Sequence, residues 1–453
     1  MKKIVSILLL VAMVFALASC AVVPVTTDTN TNTNTNSDTS TGTSKDTDTD
    51  TGYTPPSILD YDRINYEPKY TKDQKKIYYA GSFSMKAPEI APYYNDYQAA
   101  ISMTFDDGAD LEAAKRAADI ISKYGFEGTL MLIAGSSSVR NNIDGWKALV
   151  AEGVMDVGGH GWSHKDPQGL TSDEIEQEIK DTMDYLKEQF PDENPLTFAT
   201  PYAHITDAYM QYLQDYGVIA NRLSGGTTIN SNFTNPTDIY NLAAPRIDTG
   251  TPVIGAEAGA SSAVENGNWF IELYHNVRES SESTDISPTA FEAHCQWLYN
   301  NYNGQVWFGS YDDVAKYIMQ RKSTTIEYTA CDRESMTFFA KSDVDYGAEM
   351  TVKLYMPFFI DSAYAIIDGE EQFCEIKKVT NARMVMFNIP ISQEGVEIKL
   401  VMGGNDKYQN NCNHGYQENE VVAPTEATFG YTEMICPTCG HTYKKQYTNK
   451  IED

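Results

Sequence analysis

Between Ala99 and Lys322 the chain alternates apolar strand-like runs with stretches of helical period, and that alternation restricts it to a few architectures. Ala99-Ala100-Ile101-Ser102-Met103-Thr104-Phe105 reads as a buried strand. Leu111 to Tyr124 carries Ala, Ile and Lys at helical spacing, and Thr129-Leu130-Met131-Leu132-Ile133 is a second strand. Trp146 to Glu152 is helical, and Val154 to Val157 is a third strand. Thr171-Ser172-Asp173-Glu174 has the pattern of a helix cap, followed by a helix to Phe190 and a strand at Leu196-Thr197-Phe198. Repeated strand–helix units need a parallel sheet, most simply a barrel. Barrels of this kind gather reactive groups at the C-terminal ends of their strands.

The polar residues at those ends form a set. Thr104-Phe105-Asp106-Asp107-Gly108 closes the first strand. Adjacent carboxylates raise one another's pKa, and a nearby metal ion reverses that by favouring ionisation. A tight turn at Gly108 would aim both into one cleft. His160 and His164 stand four apart after the third strand, and two imidazoles with one carboxylate suit a divalent metal, zinc first, with cobalt or nickel as alternatives. Pro201-Tyr202 follows the fourth strand, and His275 ends the run Trp269 to Tyr274. Each piece alone is weak: an Asp-Asp-Gly is usually a plain turn, and a His pair four apart is usually surface or capping. In order along successive strand ends they support one another.

The order Thr-Phe-Asp-Asp-Gly, His-x-x-x-His, Pro-Tyr, Leu-x-His resembles the polysaccharide deacetylases with the NodB homology domain (carbohydrate esterase family 4), from about Ala99 to about Lys322. Val306-Trp307-Phe308 through Tyr317 is similar to that family's last strand and helix. The resemblance implies an α/β protein with a distorted (β/α)7-type barrel. It implies a metal-dependent hydrolase that removes N-acetyl groups from a cell-surface or extracellular glycan. Asp107, His160 and His164 would hold the metal, Asp106 would be the base, His275 the acid, and the Tyr202 backbone amide would help hold the oxyanion. The chain departs from the pattern at three places. Ala199 stands where the family often has an Arg that braces the catalytic Asp, Ala203 where Gly is common, and Gly161 where Ser or Thr is common. Arg222 is the first candidate for the missing cation and Arg246 the second; Asp248 is a candidate partner for the acid. The same residues suit two rival readings, an O-acetyl esterase of xylan type and a surface glycan-binding protein without activity.

The net charge of −29 over 453 residues disfavours nucleic acid and anionic membrane surfaces as partners. At the N-terminus, Lys2 and Lys3 precede the apolar run Ile4 to Leu17, which leads to Leu17-Ala18-Ser19-Cys20. This resembles a bacterial lipobox, with residues 1–20 as signal peptide and Cys20 as the lipidated residue. The expected location is therefore outside the cell, anchored by lipid to the outer face of a bacterial membrane. Residues 21–56 are a Thr/Asn/Asp-rich tether expected to stay disordered, and 57–98 a lead-in to the barrel at 99–322. Residues 323–403 read as a small all-β accessory domain and 404–453 as a short Cys/His-rich module. There Cys412, His414, Cys436 and Cys439 have the spacing of a second, structural zinc site, with disulfides as the competing reading in an exported protein. Cys295, Cys331 and Cys374 are scattered and read as small buried apolar residues, His204 as a loop residue, and His294 as a packing or surface residue on its helix.

Overall fold

A computed structural model of the chain describes residues 64–65, 84–85, 88–225, 238–249, 253–331, 335–357, 360–379, 382–404, 417–424, 430–435 and 442–448. Cys20, the 21–56 tether, Cys412, His414, Cys436 and Cys439 lie outside the described residues.

Seven parallel strands form the barrel: β1 (Ala99–Asp107), β2 (Gly128–Leu132), β3 (Met155–Gly159), β4 (Thr197–Ala199), β5 (Ala220–Ser224), β6 (Leu242–Ala244) and β7 (Trp269–Tyr274). Their order is β7-β1-β2-β3-β4-β5-β6. Closure is nearly complete. Just beyond β6, the Ile247 amide donates to the Leu273 carbonyl at 2.8 Å, and the Leu273 amide to the Pro245 carbonyl at 3.1 Å. A two-residue strand, β8 (Val306–Trp307), pairs with Ala99 and Ala100 at the start of β1.

The helices between strands are α1 (Leu111–Ser122), α2 (Ile143–Val150), α3 (Ser172–Gln189), α4 (Asp207–Asp215), α5 (Val253–Asn266), α6 (Pro288–Tyr302) and α7 (Tyr311–Lys322). Local chemistry starts them. The Asp110 side chain accepts the Glu112 and Ala113 amides, Thr171 and Glu174 form a reciprocal capping box, and Pro288 follows the Ser287 cap. Alternation along β1 then divides its residues between two layers. Ile101, Met103 and Phe105 pack outward with Trp146, Phe270 and Phe291. Ser102, Thr104 and Asp106 face the barrel interior, where Ser102 accepts the Trp269 indole N–H at 3.0 Å.

After α7 the chain builds two antiparallel sheets. One has five strands between Thr324 and Gly404; the other has four and includes Glu89–Ile90, which pairs with Val352 and Lys353. The segment before the barrel, read from sequence as a lead-in, thus completes a sheet far along the chain. Met336, Phe338, Leu354, Val385 and Leu400 fill the core between these sheets. A three-stranded antiparallel sheet at 417–422, 430–435 and 442–448 runs through the tail, where the sequence offered only a Cys/His pattern.

Candidate metal centre

In a regular strand Asp106 and Asp107 would point to opposite faces. Asp107 escapes that by adopting φ 76°, followed by Gly108 at φ 65°. A Cβ on Gly108 would sit 2.7 Å from Leu132 Cδ2 and 2.9 Å from Val139 Cγ2, so the turn requires glycine. The left-handed backbone at Asp107 and at His164 (φ 58°) is costly for these residues and is held by the surrounding structure.

His160 follows β3 and is buried, with its Nδ1 2.7 Å from the Ala199 carbonyl oxygen. A carbonyl only accepts, so Nδ1 carries the proton and the Nε2 lone pair faces the cleft. His160 Nε2 lies 3.1 Å from His164 Nε2, and Asp107 Oδ1 lies 3.7 and 3.9 Å from those two nitrogens. The three ligand atoms all fall within 4.8 Å of one another. Donors at about 2.0–2.1 Å from a tetrahedral zinc stand roughly 3.4 Å apart, so this donor set fits a divalent ion with little adjustment. Burial, and His164 beside it, lower the His160 pKa to about 4, which keeps the imidazole in the neutral form a metal needs.

Two features that support the histidines were not found by sequence reasoning. One is the Ala199 carbonyl. The other is Glu178 on α3, which accepts the Ser163 amide at 2.8 Å and the Ser163 hydroxyl. That carboxylate braces the turn between His160 and His164. Its signal in the sequence is an acid within the buried stripe of α3, beside Ile175, Ile179 and Thr182.

Asp106 is buried behind the cluster with its Oδ2 3.6 Å from His160 Nε2. Its Oδ1 pairs with Arg222 Nη2, and Arg222 Nε donates to Thr104 Oγ1 at 3.1 Å. Burial lowers the Arg222 pKa to about 9, which leaves it cationic at neutral pH. On β5, Arg222 is the register partner of Ala199 on β4. The cation therefore stands one strand sideways from the position that Ala199 occupies. Arg246 is engaged elsewhere, 2.5 Å from Asp248 Oδ2.

His275 directly follows β7, and its Nδ1 is buried and has no hydrogen-bond partner among the described residues. Burial lowers its pKa, Asp107 and Asp248 work against that, and Arg222 and Arg246 add to it. Asp107 and Arg222 are thus among the charges that act on it. Tyr202 lies at the mouth, 57% exposed, with its ring centroid 4.7 Å from that of His164. His204 beside it reaches Asp166 Oδ2 at 2.9 Å. His294 is remote from the cluster, buried against Glu272 at 2.8 Å. Cys295 and Cys374 are buried free thiols.

The fold and this cluster define a class: a nearly closed parallel α/β barrel with an Asp–His–His group at the C-terminal ends of its strands, followed by further β sheets. Residues 94–220 match the family model described as polysaccharide deacetylase. A gellan lyase from Bacillus sp is 23% identical over 310 residues, which is 62% of this chain; the chain spans 12% of that relative's length. Among solved structures, a Mycobacterium smegmatis protein assigned to the polysaccharide deacetylases is 12% identical with a TM-score of 0.41, covering 52% of this chain and 95% of that one. The peptidoglycan deacetylase PdaC of Bacillus subtilis is 18% identical at TM-score 0.33, covering 50% and 94%. A CE4-family pseudoenzyme from Bacillus anthracis is 16% identical at TM-score 0.34, covering 50% and 70%.

Proposed function

We propose that this protein is a metal-dependent polysaccharide deacetylase acting on N-acetyl groups of a cell-surface or extracellular glycan. The observation that carries the reading is the convergence of Asp107, His160 and His164 beside a buried Asp106–Arg222 pair. A divalent ion held by the first three, zinc by preference, supplies Lewis acidity, acidifying water and polarising the acetyl carbonyl. Asp106 takes a proton from the attacking water as its oxygen bonds to the acetyl carbon. Arg222 keeps a positive charge against Asp106 and favours its carboxylate form. The Tyr202 amide is assigned to the developing oxyanion. His275 delivers a proton to the amide nitrogen as the C–N bond breaks, which releases acetate and leaves a free amine on the glycan.

Acetate release from N-acetylated and O-acetylated glycans, measured with and without a chelator, tests this. The expected result is chelator-sensitive release from N-acetyl substrates that His164→Ala abolishes. Release confined to O-acetyl substrates would make the protein an esterase instead. Tight glycan binding without release would make it a binding protein.

We also infer that Cys20 carries lipid and anchors the protein outside the cell through the 21–56 tether. An N-terminal mass at Cys20 without lipid would refute this. For the tail we propose a structural zinc on Cys412, His414, Cys436 and Cys439. Two zinc ions per chain, falling to one in His164→Ala, is the expected stoichiometry; disulfides among these cysteines would replace that reading.

A further inference from the structure

A cavity of about 270 Å³ opens where the N-terminal end of the barrel meets the β domain. Its wall residue Trp307 pairs with Ala100 on β1. Six residues separate that position from Asp106, which sets the cavity roughly 20 Å from the metal cluster. Three aromatic rings, Tyr94, Trp307 and Tyr317, and three carboxylates, Glu127, Asp313 and Glu349, surround it.

The walls are held in place before any ligand arrives. The Tyr94 and Trp307 centroids are 5.6 Å apart at 43°, and Trp307 and Tyr317 are 5.6 Å apart at 75°. The Tyr317 hydroxyl donates to the Ala91 carbonyl at 2.9 Å and accepts the Thr351 amide. A side chain at Gly309 would collide with the Trp307 indole, so glycine there lets the ring lie against the chain. Gln320 fixes the loop that carries Ala348 and Glu349: its Oε1 accepts the Tyr346 amide at 3.0 Å and the Ala348 amide at 3.2 Å. Such pre-formed walls are what a binding cavity needs.

The charge of its lining is one-sided. Among the described residues no lysine or arginine lines the cavity, and Arg321 acts on the Tyr317 hydroxyl from outside it. Lys316, on the same helix as Asp313, is taken by Asp312 at 2.6 Å. Burial, and then Asp313, push the Glu127 carboxyl up to about 7, against a backbone hydrogen bond from Ser310. Aromatic faces beside carboxylates attract a ligand with an apolar face and a cationic edge. The volume lies just below the ~300 Å³ at which pockets for drug-sized ligands begin, which suits a single sugar ring.

We propose that this cavity binds a hexose bearing a primary ammonium group, with the ring against Trp307 and the ammonium among Glu127, Asp313 and Glu349. The choice of an amino sugar among ammonium ligands rests on the deacetylase reading, because that reaction produces one. The aromatic and acidic walls do not depend on it.

The test titrates the full chain at pH 7 with the tetramer of β-1,4-linked glucosamine, followed by tryptophan fluorescence and calorimetry. The fully N-acetylated tetramer is titrated against His160→Ala, so that no substrate is consumed. The glucosamine tetramer is expected to bind at least ten-fold more tightly than the acetylated one. Trp307→Ala and Glu349→Gln should each weaken it at least five-fold, and His160→Ala should change it less than two-fold. Glu349 is exposed, so its variant keeps the test open if Trp307→Ala does not fold. Equal affinity for both tetramers, no binding, or binding lost in His160→Ala and kept in Trp307→Ala would each overturn the assignment. Glu349→Gln should leave acetate release unchanged. Binding at Trp307 in a protein that releases no acetate would keep this site and remove the deacetylase reading; release without binding would do the reverse.

Discussion

Arg222 enters the barrel from β5 and meets Thr104 and Asp106 on β1, two strands that are not neighbours in the sheet. The contact exists only across the interior, where both charges are stripped of water. Breaking such a pair leaves one charge buried alone, so Arg222→Ala is expected to lose about 3–5 kcal/mol of stability. Asp106→Asn in the same chain should recover part of that loss, since the two residues act as a unit. Chemical denaturation of Arg222→Ala, Asp106→Asn and the double variant measures both. Independent additive losses would separate the two residues. His160 makes a pH prediction. Its folded pKa, near 4, lies below its ordinary 6.5, so the unfolded chain binds more protons between those values. Metal-free protein should therefore lose stability as pH falls from 6.5 toward 4, by up to about 1.4 kcal/mol per pH unit from this group. His160→Asn should flatten that slope; an unchanged slope would mean that His160 is not the group responsible.

Elements place the cluster, and they do so through contacts at unequal sequence range. β1 and the turn at Asp107–Gly108 carry the two carboxylates in adjacent positions, so their pattern was legible before any fold. The His pair was legible for the same reason. Glu178 lies fifteen residues beyond Ser163 on another element, so its place in the buried stripe of α3 did not reveal its partner, and the Ala199 carbonyl belongs to a residue with no polar side chain and left no signature. Removing the charge of Glu178 tests the importance of α3 to the turn. Glu178→Gln weakens the acceptor that holds Ser163 and should lower metal affinity about 10- to 100-fold. Competition with a chromophoric chelator reads this directly, and an unaltered affinity would reduce Glu178 to a packing role. A second element-scale contact sits at the end of α7. Gln320 is buried, accepts two amides of the 346–348 loop and donates to the Ile391 carbonyl at 2.7 Å. Gln320→Leu leaves those backbone groups unpaired, at about 1–3 kcal/mol for each that stays buried. The denaturation midpoint should fall accordingly.

At the scale of the whole molecule, barrel and β domain share more than a linker. Tyr317 of α7 packs into the β-domain core, Gln320 bonds to its loops, and Glu89–Ile90 from before the barrel completes its four-stranded sheet. Calorimetry of the full chain is therefore expected to show one cooperative transition spanning both parts; two separated transitions would make them independent. The division of labour between sequence and tertiary structure follows from the range of the interactions involved. Strand and helix periodicity, caps, and the residues that end each strand are local properties, so the amino-acid sequence alone determined the barrel class and named Asp106, Asp107, His160, His164 and His275 as candidates. It placed the β-rich segment after the barrel for the same reason. Only the folded chain decided that Arg222 rather than Arg246 meets Asp106, that Glu178 and Ala199 orient the histidines, that residues 89–90 join a sheet more than 250 positions away, and that Trp307 faces three carboxylates. Each of those depends on which strands come to face one another across the barrel or along its base, and burial and charge act there through space, without regard to distance along the chain.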